Sequence, residues 1–92
     1  MASLRVIKKD IDYLLTEVIS DCWTFMYFNQ GKKEDQAVEI ITSAVDFRND
    51  LYNRVNHYDK KNARKAFKEI NMDLLKGVDD LFVRISKLTE AK

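Results

Sequence analysis

The 92 residues contain no proline, and glycine occurs only at Gly31 and Gly77. A sheet needs many tight turns, and turns draw on those two residue types, so their scarcity predicts a few long helices. Cysteine occurs once, at Cys22, which excludes an internal disulfide and suits a reducing compartment. Histidine also occurs once, at His57, with no glutamate three positions before it, so the Glu-x-x-His pairs of a di-iron bundle are missing. No window approaches the roughly 18 consecutive apolar residues of a membrane span. The opening MASLRVIKKD has no long apolar run, and the expected location is cytoplasmic. Net charge is only +1, which argues neither for nor against a polyanionic partner.

What is present suits a folded protein. Apolar residues make up 46% of the chain and charged residues 34%, too hydrophobic for a disordered chain yet well charged for solubility. The length is that of one small domain, and no repeat or linker divides residues 1–92. A core of this size is modest, so self-association is a natural further source of stability.

Hydrophobic spacing resolves three helices, at about 3–29, 35–58 and 62–90. The first is expected to begin at Ser3 as N-cap, with Leu4, Ile7, Ile11, Leu14, Leu15, Val18, Cys22, Phe25 and Met26 on one side. Phe28 is expected at the edge of that stripe, closing the end of the bundle, with Gly31 supplying the positive φ beyond it. The second helix is expected to be capped by Asp35 and to carry Ala37, Ile40, Ile41, Ala44, Phe47, Leu51, Val55 and Tyr58. The third carries Ala63, Ala66, Phe67, Ile70, Leu74, Val78, Leu81, Ile85 and Leu88.

The segment YDKKNARK contains no breaker, so one continuous helix is the alternative, and it would force an extended or swapped dimer. Projected at about 100° per residue, however, the second stripe misses the third by roughly a third of a turn. That phase break favours a turn at Asp59–Asn62, with Asn62 capping the third helix. Short connections then give an all-α, antiparallel up-down-up three-helix bundle, about 35–40 Å long. Within it, Arg48 interrupts the second stripe and is expected to form an internal ion pair with Glu17 or Asp73. Gly77 lies at the edge of the third stripe, where a missing side chain permits close helix approach; it costs about 1 kcal/mol relative to alanine.

Chemistry is sparse. NQGKK has one glycine and fits a helix connection, not a phosphate loop, and no acid pair comes with a nucleophile or base. No cofactor, metal or catalytic residue is expected, and the protein is read as a non-enzyme. The stretch FRNDLYNRVNHYD resembles the helical ribonuclease-like domains known as HEPN, whose motif is an arginine, four to six residues, then a histidine. Here Arg48 stands too far before His57 and Arg54 too near, so the resemblance assigns no residue a role.

Two surface patterns point to partners. On the first helix, Tyr13, Thr16, Ser20, Trp23 and Tyr27 recur at three-four spacing beside the core stripe, without a charge, while Asp10, Glu17 and Asp21 gather on the opposite flank. Trp and Tyr are enriched at interface hot spots, so the row is read as a protein interface, for a homodimer or a helical protein partner. Met72, Leu75, Phe82 and Val83 on the third helix are also more apolar than a solvated face requires. The second pattern is a basic pole, where Arg5, Lys8, Lys9, Arg54, Lys60, Lys61, Arg64, Lys65 and Lys68 face only Asp10, Asp12, Asp59 and Glu69, a net of +5. Lys60, Lys61, Arg64, Lys65 and Lys68 form its patch, and nucleic acid is the alternative partner. No helix-turn-helix signature or stacking aromatic accompanies these cations.

Overall fold

The computed structural model describes residues 4–90, so the expected Ser3 cap lies outside the described residues. Each apolar stripe forms one helix: α1 (Leu4–Phe28), α2 (Glu34–Asn56) and α3 (Ala63–Glu90), with a 3₁₀ turn at Lys60–Asn62 leading into α3. Every pair of helices is in contact, and the three form an up-down-up bundle of 50 × 17 × 16 Å. It exceeds the expected length because the 28 residues of α3 alone span about 42 Å.

The core follows the predicted phases. From α1 it takes Ile7, Ile11, Leu15, Val18, Cys22 and Phe25, from α2 Ala37, Ile40, Ala44, Leu51 and Val55. From α3 it takes Ile70, Leu74, Val78, Leu81, Ile85 and Leu88. No charged or polar side chain is buried with them among the described residues, so burial of apolar area, about 1.5–3 kcal/mol for each large side chain, holds the bundle together. Leu14, Met26, Ile41 and Phe67 are only partly buried, as are Ile19, Tyr52 and Phe82, which the stripes did not include. Gly77 explains itself against α2: a Cβ there would overlap the Phe47 ring. The missing side chain lets that ring lie on the α3 backbone, the close approach expected from the sequence.

The connection from α1 to α2 is made by the backbone. The N–H and Nδ2 of Asn29 both donate to the Phe25 carbonyl at 2.9 Å. Gly31 has φ 80°, and Lys33, the residue before α2, is also left-handed at φ 53°. Lys33 Nζ donates to the Leu88 carbonyl at 3.2 Å and so ties this connection to the end of α3. Asp35 does not cap α2: Lys33 holds the N-cap position without a side-chain capping bond, and Glu34 and Asp35 lie inside the first turn, where the helix dipole favours acids. Nor does Phe28 close the bundle. It is 76% exposed, edge-on to Tyr27 with ring centroids 5.2 Å apart, while Phe25 one turn earlier takes the buried position.

The second connection falls where the phase break places it. The helix ends at Asn56, and Tyr58 leaves it to pack on Phe67 at 4.7 Å between centroids. Asp59 caps the 3₁₀ turn. Its carboxylate accepts Lys61 N–H at 3.0 Å and Asn62 Nδ2 at 3.2 Å. Asn62, the last residue of the 3₁₀ turn, stands directly before the first residue of α3.

Candidate interaction surface

The seam between α1 and α2 is fixed by a polar cluster. Arg48 Nε donates to Asp12 Oδ1 at 2.9 Å, and Tyr52 Oη donates to Asp12 Oδ2 at 2.7 Å. The Arg48 guanidinium also lies 4.4 Å from the Tyr52 ring centre, with Lys8 Nζ at 5.8 Å. Arg48 therefore pairs with Asp12 and not with Glu17 or Asp73, because the antiparallel register brings Asp12 to its level. Asp73 instead meets Arg54, whose Nη1 lies 2.9 Å from its Oδ2. The Tyr52 hydrogen bond first, then the hydrogen bond and charge of Arg48, hold the Asp12 carboxyl below the usual carboxylate range against an opposing effect of desolvation. Burial first, then the hydrogen bond and charge of Asp12, pushes the Tyr52 phenol up. Half-exposed as it is, the cluster adds little stability but sets the level of one helix against the other.

That register organises the uncharged row of α1. Tyr13, Trp23 and Tyr27 are 66%, 59% and 71% exposed, and Thr16 and Ser20 are exposed between them. Counting along the helices from the Asp12–Arg48 contact puts Val45 of α2 level with Thr16 and Val38 level with Trp23. Both valines are exposed, and both project toward the α1 side of α2. A shallow depression lined by Trp23, Thr24, Met26, Tyr27 and Glu34 joins the two helices at that end. The sequence reading missed Val38 and Val45 because each stands alone on an exposed face of α2; only the level of α1 beside it makes them part of a patch. On α3, Met72, Leu75 and Val83 are exposed, whereas Phe82 packs against the core.

The opposite feature is the basic pole. Lys60, Lys61, Arg64, Lys65 and Lys68 are all exposed, and none forms a salt bridge among the described residues. Arg64 and Lys68 border an open groove of about 670 Å³ between α1 and α3, with Ile7, Ala63 and Phe67 as its apolar lining and Asp10 and Asn71 beside them.

No other chemistry converges. His57 is exposed, its Nδ1–H donating to the Asn53 carbonyl at 2.8 Å, while Arg48 is engaged at the α1–α2 seam. The two residues of the HEPN-like stretch thus serve separate contacts. Burial, then the neighbouring Asp21 charge, pushes the Cys22 thiol up, as expected of a core residue and not a nucleophile. Among the described residues no three His, Cys, Asp or Glu side chains are grouped to hold a metal ion. Among the described residues no helix is long and apolar enough to cross a membrane. Compared with family models, curated proteins and solved structures, the chain matches none.

Proposed function

We propose that this protein is a protein–protein interaction module that self-associates as a homodimer through the uncharged face of α1, with Tyr13, Thr16, Ser20, Trp23 and Tyr27 at the contact. One observation carries the reading: three aromatic rings on one face, each more than half exposed, in a chain one-third charged. The role is binding, not catalysis, and the compartment that suits the free Cys22 thiol is the cytoplasm.

Interface area sets the expected strength. A buried aromatic covers about 150–250 Å². The exposed parts of the three rings therefore offer about 400 Å² per copy, and Val38, Val45 and the small residues bring a dimer to about 1,000–1,200 Å². That is the lower end of specific interfaces, so a dissociation constant in the micromolar range is expected. Sedimentation of the parent chain and Trp23→Ala at matched concentrations tests it. The expected result is a parent dimer and about 1,000-fold weaker association of the variant, the effect of losing about 2 kcal/mol at each of the two copies' hot spots. A parent chain that keeps its monomer mass at every concentration overturns the reading.

A second reading is favoured by the five cations of the basic pole, Lys60, Lys61, Arg64, Lys65 and Lys68, which are exposed and form no salt bridge among the described residues. It makes the chain a nucleic-acid-associated protein that meets phosphates there.

A further inference from the structure

The α1 row is a palindrome of residue types. Reading from position 13 to 23 it runs aromatic, small, small, aromatic, and the pairs Tyr13–Trp23 and Thr16–Ser20 share one midpoint, level with position 18. The same midpoint relates Lys9 to Tyr27, which lie five turns apart and project at the same helical angle. Tyr13 and Trp23 fall about 40° to opposite sides of that line, and Thr16 and Ser20 about 20° to opposite sides.

We propose that two copies of α1 pair antiparallel about a two-fold axis level with position 18, so that residues whose numbers sum to 36 meet across the interface. The inference rests on the self-association argued above and specifies its geometry. A two-fold interface presents the same patch twice, so the patch must complement itself. In this register it does. Thr16 lies level with Ser20 of the second copy, and these small side chains let the helix axes approach closely at the centre. Tyr13 lies level with Trp23 of the second copy but on the other side of the midline, so the rings pass each other and fill the space outside the small residues. Lys9, exposed and without a salt bridge among the described residues, meets Tyr27 of the second copy as a cation over a ring. Asp10, Glu17 and Asp21 stay on the flank, away from the contact. The parallel arrangement has no such fit, because it places Lys9 against Lys9 and stacks like on like along the row.

Cysteine pairing reads the register directly. A disulfide needs Cα atoms about 4.4–6.8 Å apart. Thr16 and Ser20 of opposite copies are level, whereas two Thr16 residues are offset by about 6 Å along the axis. Thr16→Cys and Ser20→Cys each alter an exposed position, their fold is checked by circular dichroism, and the buried Cys22 stays out of the reaction. One variant carries a tag so that mixed and self-linked products differ in mass. Mild oxidation is expected to link Thr16→Cys to Ser20→Cys at least tenfold faster than either links to itself. Thr16→Cys linking to itself as fast as to Ser20→Cys overturns the register, as does the absence of any mixed product from protein that sediments as a dimer. A parent chain that sediments as a monomer overturns instead the self-association on which the register depends.

Discussion

At the scale of the residue, the informative cluster is Asp12 between Tyr52 and Arg48. Two donors on one carboxylate stabilise its charged form, and the larger of the two hydrogen-bond effects is that of the Tyr52 hydroxyl at 2.7 Å. Because the native carboxyl is held below its unfolded value, its contribution to stability is fully present above the ordinary carboxylate range. It is lost as pH falls through the lowered native value, since over that interval the unfolded chain binds more protons. Tyr52→Phe removes the larger effect and leaves Arg48. The expected cost at neutral pH is about 0.5–1 kcal/mol, at the low end for a hydrogen bond because Asp12 is 47% exposed. The cost should shrink as pH falls below the ordinary carboxylate range and vanish below the lowered native value, where Asp12 is protonated with or without its partner. Urea midpoints of parent and variant across about pH 2–7 measure this, and parallel acid limbs would show that Tyr52 does not hold the Asp12 charge.

At the scale of the element, helical phase carried most of the fold. Stripes such as Ile7-Ile11-Leu15 and Ile70-Leu74-Val78 bury the faces that their spacing predicts, and the phase break alone located the turn that no glycine or proline marks. What phase does not hold is the level of one helix against another. Glu17 and Asp12 both had the chemistry to meet Arg48, and five residues between them, about 7.5 Å of level and about 140° around α1, decided for Asp12. The same lack hid Val38 and Val45, while Lys33 at the N-cap shows backbone geometry overriding the capping preference that favoured Asp35. Gly77 tests the packing that sets these levels. In an isolated helix, alanine would gain about 1 kcal/mol over glycine. Here Gly77→Ala forces the Phe47 ring off the α3 backbone, and a net loss of about 1–2 kcal/mol is expected in denaturant titration. In a Phe47→Leu background the same substitution should be neutral or stabilising, since the atoms that it would overlap are gone. An equal loss in both backgrounds would place the cost of Gly77→Ala somewhere other than that ring.

At the scale of the whole molecule, two surfaces of opposite character answer differently to salt. A dimer formed through the α1 row as proposed would bury aromatic area without an acid, so it would depend on water exclusion, with one cation–ring contact at each end. The basic pole offers mainly charge, and the proposed complex there would release counterions from nucleic acid. With five phosphates neutralised, affinity for duplex should fall about 500-fold between about 50 and 200 mM salt. Over the same interval the sedimentation mass of the parent should not change, because hydrophobic contact is unscreened and slightly strengthened by excluded salts. Titrating salt in parallel on the protein alone and on the protein with a labelled duplex therefore separates the two surfaces without a mutation. A dimer that dissociates along the steep limb would be held by charge, head to tail between the basic pole and the acidic remainder of the chain. The aromatic face of α1 would then be left without its partner.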